Sequence, residues 1–464
     1  MSRLALSMIV RDAQDDLAPC LESVRGLADE IVVADTGSVD RTCEVARRFG
    51  ARVISVPWED DFAKARNACL AEVTANWVLV LDADEQLDCH EHDMVRAHLS
   101  ADCCGYLVTI RNYVENIHQR LWDRPAQAND GTLARARNFP AFVEHENVRL
   151  FRRMPEIKFV GRVHESVGPT IVGKGRHLEK SAFRVHHFGL VAGAERRAQK
   201  NRFYRELGRK KIAERPNDAQ AHFELGLVEF DNFHEDEIAL QCFRRACELN
   251  PGFGVAWLFA AIASIRLEKF AAALDYAKRA QARGYESALV FETMGDAHYG
   301  LKDFRRAARS YRQALRASGS PSLISKLGLV ELRAGDVAKG LQRLREALKR
   351  DISDEGNHDR LIVAHAYLGN LGEAATAAEM KMAVSPSPKA FLRAASIRAQ
   401  QKHWFRARQI VEAGLQRYPA ENSLLEAVAE LRRRELIEPL ALTGDGMSVI
   451  AAKDSAGQAD RTAE

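Results

Sequence analysis

The chain has 464 residues, of which 46% are hydrophobic and 28% charged, and its formal net charge is +3 at pH 7. This length exceeds one ordinary core and predicts two or three domains, each of globular composition. The near-neutral charge gives no indication of a nucleic-acid partner, and because the sequence lacks a run of about 18 uncharged apolar residues we predict no transmembrane segment.

The first predicted element is a strand near the start of the chain. The apolar run from Leu4 to Val10 ends in Arg11-Asp12 without a small-residue cleavage site, which favours a strand over a signal peptide. The eight cysteines contain no Cys-x-x-Cys pair, so neither a zinc-site spacing nor a disulfide framework is visible. A reducing, cytoplasmic location is the simpler interpretation.

Short apolar runs alternate with amphipathic stretches over residues 4–82, which is typical of a parallel sheet covered by helices. We predict strands at 4–10, 30–34, 52–56 and 77–81 and helices ending at 28 and spanning 41–49 and 62–73. In such sheets ligands bind beyond the carboxyl ends of the strands. The chemistry is therefore expected at residues 11–12, 35–38, 57–58 and 82–84.

The stretch from 105 to 187 differs, with Arg-rich polar connections between extended pieces predicted at 106–110, 148–151, 159–163 and 183–187. We interpret it as the acceptor-facing half of the same domain. A charged helix is then predicted over residues 190–214, before Pro216.

Beyond Pro216 the sequence is helical and repetitive. Small residues recur at spacings of 34, 34, 33, 34 and 33, at Ala239, Ala273, Ala307, Gly340, Ala374 and Ala407. A second small-residue column lies seven positions on and is broken at Lys381, and Gly226, Gly295 and Gly328 lie twelve or thirteen positions upstream of the first column. Helices that cross closely need small residues at the crossing. The pattern resembles the tetratricopeptide repeat in about six copies.

Two motifs carry the predicted chemistry. The strand at 77–81 ends in Asp82 and Asp84, and carboxylates at this spacing can share a divalent cation and a ribose–diphosphate if the turn brings both to one side. Alone, this motif is equally consistent with a solvated acidic turn. After the strand at 30–34, Gly37 permits a sharp turn and Asp35 remains at the strand tip to hydrogen-bond a base or ribose.

Together, in this order and at this separation, the two motifs resemble those of the family-2 glycosyltransferases. The resemblance also takes in residues 8–12 and 61–67 and covers roughly residues 4–190, while residues 149–152 and 161–165 resemble a subgroup that also carries tetratricopeptide repeats. It implies an α/β fold of the nucleotide-diphospho-sugar transferase type, Rossmann-like with a mainly parallel sheet, followed by an all-α repeat solenoid.

The resemblance also implies the donor site. Asp35 would contact the nucleotide base, Asp82 would help to hold the ribose and the metal, and Asp84 would ligate Mn²⁺ or Mg²⁺ between the phosphates. The remaining residues expected beside the nucleotide sugar are Arg11, Gly37 and Arg66.

Direct, inverting displacement requires that the acceptor lose a proton as it attacks the sugar. Glu165, with His164 beside it, is the candidate general base. The alternative is that Glu165 only forms a salt bridge with Arg149, Arg152 or Arg162. The acidic pair that supplies the base in much of the wider family is not evident here in its common form.

His186-His187-Phe188-Gly189 resembles a further His-x-Gly element of the subgroup, and we choose His187 as a third metal ligand, although a histidine at a strand end is more often structural. Several arginines could neutralise the leaving diphosphate or bind an anionic acceptor, and a solvated basic face is the alternative for most of them. They are Arg120, Arg124, Arg135, Arg137, Arg149, Arg152 and Arg153.

The predicted domains are a catalytic domain over 1–190, a helical linker over 191–216, a repeat array over 217–435 and a disordered tail over 436–464. The predicted function is metal-dependent, inverting transfer of a sugar from a nucleoside-diphosphate donor. The preferred donor is a UDP-sugar. The acceptor would be a protein, a peptide or an envelope glycan recognised by the repeats. The alternative is a non-catalytic interaction scaffold with a relic sugar-nucleotide domain, which would have no reason to keep Asp82 and Asp84.

Overall fold

The computed structural model describes residues 2–121, 124–191 and 194–437. Over these residues the chain divides into two units, with the boundary between Pro251 and Gly252. Residues 438–464, which make up nearly all of the predicted tail, lie outside the described part. Within that part, none of the helices combines the length and the apolar character needed to cross a membrane.

The first unit is built on a β-sheet whose early strands alternate with helices. In chain order the strands are β1 (Leu4–Val10), β2 (Glu30–Asp35), β3 (Arg52–Ser55), β4 (Trp77–Val80), β5 (Glu85–Gln86), β6 (Gly105–Val114), β7 (Arg120–Leu121), β8 (Arg124–Pro125), β9 (Gln127–Ala128), β10 (Ala141–Arg152) and β11 (Glu179–His187).

The main sheet has the order β3-β2-β1-β4-β10-β6-β11-β5, with β9 beside β10, and β7 and β8 form a separate pair. The strands β3, β2, β1 and β4 are mutually parallel, which confirms the predicted parallel sheet. Strand β10 then runs antiparallel to both β4 and β6, whereas β11 is parallel to β6. The second half of the sheet is therefore mixed.

Helices cover both faces of the sheet, and β1 contributes side chains to the apolar core on each face. Leu4, Leu6 and Met8 belong to one apolar cluster, and Ala5, between them, belongs to the other. Successive side chains of a strand point to opposite faces, so a strand that is apolar throughout must be covered twice. The helices that provide this cover are α1 (Gln14–Ser23), α2 (Thr42–Arg48), α3 (Phe62–Glu72), α4 (His92–His98) and α5 (Gly168–Val172).

The strand predicted at 159–163 is wrong. This segment makes only an isolated bridge between Val160 and Ser166. Gly161 has φ +103° and His164 has φ +55°, and neither conformation can continue an extended strand. The chain turns here instead, and Glu165 lies in the turn.

The sheet is followed in the same unit by α6 (Ala194–Glu214), α7 (Ala219–Val228), a π-helical turn (Glu229–Phe233) and α8 (Asp236–Leu249). Helix α6 confirms the charged helix predicted before Pro216. Asp218 caps α7 by accepting a hydrogen bond from the backbone N–H of Ala221.

The second unit consists of helices joined by short turns. They are α9 (Gly254–Arg266), α10 (Phe270–Ala282), α11 (Ala288–Gly300), α12 (Phe304–Ser318), α13 (Pro321–Arg333), α14 (Val337–Arg350), α15 (Glu355–Tyr367), α16 (Leu371–Val384), α17 (Pro388–Gln400), α18 (Trp404–Arg417) and α19 (Asn422–Ile437).

The small-residue columns lie in the contacts within helix pairs. A Cβ at Gly295 would lie 2.5 Å from the Tyr311 ring, and a Cβ at Gly328 would lie 2.8 Å from the carbonyl oxygen of Gly340. Only glycine permits these approaches, as the periodicity predicted. Lys381, which interrupts the second column, reaches Asp359, 2.7 Å away.

Candidate functional site

The carboxyl ends of β1, β2 and β4 lie at one edge of the sheet and carry the predicted donor residues. Asp35 ends β2, and Asp82 and Asp84 follow β4 in the next turn. Strand β1 lies between β2 and β4, so Asp35 and the acidic turn flank the end of β1. Because the carboxyl ends of parallel strands lie at the same edge of a sheet, these residues are on the same side of the sheet, as predicted.

The Asp35 side chain stabilises the turn that follows β2. Its buried carboxylate accepts hydrogen bonds from the backbone N–H groups of Gly37, at 3.2 Å, and Ser38, at 3.1 Å. Gly37 has φ +104°, a conformation that favours glycine. The Ser38 hydroxyl accepts from the backbone N–H of Asp12, so the loops after β1 and β2 are linked. Arg11 lies beside them, half-exposed.

Two buried guanidinium groups join the acidic turn to the rest of the site. Arg66 of α3 donates to Asp82 Oδ1 and to Glu165 Oε1, each at 2.5 Å. Arg149 of β10 donates to Asp82 Oδ2 at 3.1 Å and to Glu85 Oε1 at 2.5 Å. Both arginine side chains are nearly buried, with 6% and 11% exposure. The result is a continuous network of charge-assisted hydrogen bonds.

These contacts set the charges of the cluster. Burial opposes ionisation of Asp82, but the Arg66 and Arg149 guanidinium groups hold the pKa of that carboxyl well below its usual range. Burial raises the pKa of Glu85, against the opposing effect of Arg149. Asp82 is therefore a permanent anion in contact with two cations.

The salt-bridge partner of Glu165 is Arg66, which differs from the three arginines considered from the sequence. Arg149 contacts the acidic turn, Arg152 donates to the carbonyl oxygens of Ala101 and Cys103, and Arg162 pairs with Glu214. A solvated basic face is thus wrong for Arg149. Its position on β10, beside β4, explains this, because the pairing of these strands carries the side chain to the end of β4.

Asp84 faces a different set of partners. Its Oδ2 lies 3.6 Å from His187 Nε2 and 3.9 Å from Lys200 Nζ. Burial opposes ionisation, but these two cationic groups lower the pKa of Asp84 to about 2. Burial also disfavours the charged imidazole, yet the Asp84 carboxylate raises the pKa of His187 above its usual value. Gly189 makes the approach possible, since a Cβ there would meet both Asp84 Oδ2 and His187 Nε2.

The hydrogen bonds around His187 determine which nitrogen carries its proton. Asn112 donates its amide to the Val143 carbonyl oxygen at 3.0 Å, so its own oxygen faces His187 Nδ1 at 2.8 Å. Nδ1 must therefore be the donor, and a neutral His187 presents the Nε2 lone pair to Asp84. A divalent cation held by Nε2 and the carboxylate would satisfy both groups, and a second hydrogen-bonded partner is usual for a histidine ligand. Asp84 and His187 thus offer two ligand atoms that fit a metal ion.

The other histidine of the pair points elsewhere. His186 is buried, and its Nδ1 lies 2.8 Å from the Tyr113 hydroxyl, while burial lowers its pKa to about 4. Adjacent strand residues face opposite sides of a sheet, which separates His186 from His187. Among the described residues, the ligand atoms of Asp88, Cys89 and His90 lie within 4.8 Å of one another, whereas those of the predicted set Asp82, Asp84 and His187 do not. The Asp82 carboxylate turns instead to the two guanidinium groups of Arg66 and Arg149.

Three residues near the acidic turn are not indicated by any motif of the sequence: Lys200, Tyr204 and Asn112. Lys200 and Tyr204 lie on α6, and the stacked Tyr204 and His164 rings are 6.3 Å apart. Asn112 lies in β6 between Arg111 and Tyr113. A lysine and a tyrosine in a charged helix carry no local signal of a site, and an asparagine beside an arginine in a strand is only a weak one.

The family described as Glycosyl transferase family 2 matches residues 7–159. A TPR repeat-containing protein of Synechococcus elongatus is 35% identical over 173 residues, which cover 37% of each chain. An uncharacterized glycosyltransferase of Rickettsia typhi is 31% identical over 87 residues, 19% of this chain and 30% of that protein. A solved tetratricopeptide repeat protein from Parabacteroides merdae aligns with a TM-score of 0.41 at 13% identity, covering 50% of this chain and 92% of its own.

The chain therefore matches about a third of the length of these curated relatives. The matched segment contains Asp35, Asp82 and Asp84 at the carboxyl edge of its sheet, together with Arg66 of α3, which donates to Asp82. The helices after it carry the 34-residue periodicity in their close contacts. Residues 7–159 are thus a glycosyl transferase family 2 domain, and the helices that follow have the period of 33 or 34 residues whose pattern resembles the tetratricopeptide repeat.

Proposed function

We propose that the chain is a metal-dependent glycosyltransferase that moves a sugar, with inversion, from a nucleoside-diphosphate donor to an acceptor, with a UDP-sugar as the first donor to test. The observation that carries the proposal is that the family-matched segment supplies Arg66, Asp82 and Asp84 to the sheet edge where ligands bind in such folds. Asp82 contacts two buried cations there, which is unlike a solvated acidic turn.

We assign the nucleoside to the loops after β1 and β2. Asp35, Gly37 and Arg11 line them, and the left-handed Gly37 lets the backbone approach a ligand closely. Arg66 and Asp82 lie on the other side of the β1 end, where the ribose and diphosphate would follow. The base would then lie at Asp35 and the ribose at Asp82, which are the roles that the resemblance to the family implies for these two residues.

We assign a Mn²⁺ or Mg²⁺ ion to Asp84 and His187, whose facing oxygen and nitrogen are suitable ligands, with Asp82 next to them in the same turn. Such an ion supplies positive charge that stabilises the leaving diphosphate. On the protein side, Arg66 and Arg149 add two permanent positive charges within the same network.

We assign the general base to Glu165, with His164 beside it. Arg66 holds Glu165 through Oε1, which fixes the orientation of the carboxylate next to the acidic turn. Oε2 is then the atom that would take the proton from the acceptor hydroxyl or thiol as it attacks the sugar. His164 stacks on Tyr204 and would border the same side of the acceptor.

We assign acceptor binding to the repeats, since such arrays present extended surfaces to peptides and other chains. A protein, a peptide and an envelope glycan are the acceptor classes to test. We further propose a cytoplasmic location, which the eight free cysteines support.

The test is release of nucleotide from a panel of nucleotide sugars in the presence of Mn²⁺. We expect at least one donor to be hydrolysed or transferred, and Asp84→Ala to abolish this turnover while the fold is retained. Asp93→Ala is the matched control, because Asp93 is an exposed carboxylate on α4. Full turnover in Asp84→Ala would refute the metal role, and a wild-type protein that neither binds nor cleaves any nucleotide sugar would favour the scaffold alternative.

A further inference from the structure

Helix α6 lies outside the family-matched segment and presents two side chains to the acidic turn. Lys200 and Tyr204 are four residues apart and therefore lie on the same helix face. Lys200 Nζ lies 3.9 Å from Asp84 Oδ2, and the lysine side chain is 47% exposed, so the ammonium group remains accessible to a ligand.

The Tyr204 ring is held between two elements of the site. It stacks on Phe62 at a centroid distance of 6.0 Å with 12° between the planes, and on His164 at 6.3 Å with 11°. Phe62 begins α3, the helix that carries Arg66, and His164 precedes Glu165 in the chain. Two near-parallel contacts fix the ring and therefore the direction of its hydroxyl group.

The Tyr204 hydroxyl forms no hydrogen bond to any residue of the described ranges 2–121, 124–191 and 194–437. Burial and the negative charges of Asp82, Glu165 and Asp84 raise the pKa of Tyr204 above its usual value. The phenol is therefore protonated at neutral pH, and its O–H can donate a hydrogen bond to a ligand.

The position of α6 against the sheet domain is secured by contacts independent of the site. Lys210 pairs with Asp60, and Glu214 accepts two hydrogen bonds from Arg162, at 2.6 and 3.0 Å. Phe203 also packs on Trp58, with ring centroids 5.9 Å apart. Lys200 and Tyr204 are thus held next to the acidic turn by a docked helix and not by their own contacts alone.

We propose that Lys200 and Tyr204 bind the diphosphate of the sugar nucleotide, so that α6 forms part of the donor site; this inference rests on the proposed function. An ammonium group 3.9 Å from the carboxylate that would hold the cation, and a phenolic O–H one helical turn away, match the charge and the acceptor oxygens of a diphosphate. The family-matched segment accordingly lacks part of its own donor site.

The experiment measures the affinity of the full chain for UDP or GDP, whichever the wild type binds, with Mn²⁺ by calorimetry. We expect Tyr204→Phe and Lys200→Met each to weaken nucleoside-diphosphate binding about tenfold, since each removes one hydrogen bond to a charged group. Tyr204→Phe keeps the stacked ring, so its fold is preserved. Arg202→Met is the matched control, an exposed cation of the same helix beside Asn232 and Phe233.

Binding of the free nucleoside, which lacks phosphates, should be the same in wild type and in both variants. Equal diphosphate affinity in wild type, Tyr204→Phe and Lys200→Met would overturn the inference while leaving the proposed function intact. An equal loss for diphosphate and nucleoside would also overturn it, because the two residues would then act elsewhere in the site. A wild-type protein that binds no nucleoside diphosphate would reject the proposed function itself and this inference with it.

Discussion

Arg66 joins two carboxylates that are far apart in the chain, Asp82 at 16 residues and Glu165 at 99 residues. A guanidinium group offers five N–H donors in a rigid plane and can hold both at once, whereas an ammonium group cannot do so with the same geometry. Because the side chain is nearly buried, its N–H donors need partners, and the two carboxylates supply them. One side chain therefore positions both the acidic turn and the loop that carries Glu165.

We expect Glu165→Gln to lower kcat about 100-fold or more and to change KM for the donor little, because glutamine accepts the Arg66 hydrogen bond but cannot take a proton. Steady-state kinetics at varied donor concentration measures both quantities. Arg66→Lys is the companion variant, and it should impair kcat and donor KM together because it disturbs both carboxylates. If Glu165→Gln likewise impairs both equally, Glu165 positions Arg66 and another group is the base.

Gly189 offers a second test at this scale. Gly189→Ala should weaken Mn²⁺ binding by about 1–3 kcal/mol, the usual cost of overpacking, because its Cβ would separate Asp84 from His187. Calorimetric titration with Mn²⁺ measures the change. Gly372→Ala is the control, since its Cβ would lie 3.6 Å from its nearest neighbour, Gln401 Nε2, in the second unit. Unchanged Mn²⁺ affinity in Gly189→Ala would argue against the Asp84–His187 metal site.

Helix α6 is the element that connects the sheet domain to the first repeat helices of its unit. Its sequence is strongly charged, and such a helix depends on tertiary contacts for its stability. On one side these contacts are the ion pairs with Asp60 and Arg162. On the other, Arg205 and Arg209 bond the fully buried Glu229 of the π-helical turn. The π-helical turn that contains Glu229 therefore helps to hold α6, the helix that carries Lys200 and Tyr204.

We expect Glu229→Gln to lower the free energy of unfolding by about 1–3 kcal/mol, the cost of leaving buried polar groups poorly satisfied. Urea denaturation followed by circular dichroism measures this change, and nucleotide affinity should fall as α6 loosens. Glu206→Gln, an exposed carboxylate on α6 itself, should change neither quantity. Wild-type stability in Glu229→Gln would show that the ion pairs are replaceable and that other contacts hold α6.

At the scale of the whole molecule, the two units have separate apolar cores. Two clusters line the faces of the sheet in the first unit, and a third runs from Leu329 to Leu431 in the second. The catalytic chemistry proposed above uses residues of the first unit. A change in the core of the second unit should therefore affect stability without affecting donor binding.

Gly328→Ala tests this separation. Its Cβ would lie 2.8 Å from the Gly340 carbonyl oxygen and 3.1 Å from the Leu344 nitrogen, and this backbone can move away only by separating α13 from α14. We expect a loss of about 1–3 kcal/mol in the stability of the second unit, measured by calorimetric unfolding, with unchanged nucleotide affinity. Gly372→Ala is the control, because its nearest neighbour, Gln401 Nε2, would lie 3.6 Å away. A parallel loss of nucleotide binding in Gly328→Ala would contradict energetic independence of the site.

Much of this architecture followed from local patterns. Alternating apolar runs predict β1, β2, β3 and β4 within one residue at either end, and the period of 33 or 34 residues predicts the helix contacts. The rule that parallel strands share a carboxyl edge placed Asp35, Asp82 and Asp84 on one side. These features depend on neighbours in the chain or on one period, so the order of residues is sufficient to specify them.

The partners of those residues depended on contacts that no local pattern encodes. Arg66 meets Glu165 because the turn at Gly161 and His164 replaces the predicted strand, and Arg149 meets Asp82 because β10 inserts beside β4. His187 meets Asp84 because β11 pairs with β5, and Tyr204 enters the site because α6 docks on the domain. Strand order and helix docking depend on the free energy of the entire fold and not on neighbouring residues in the chain. These contacts are therefore determined only by the tertiary structure.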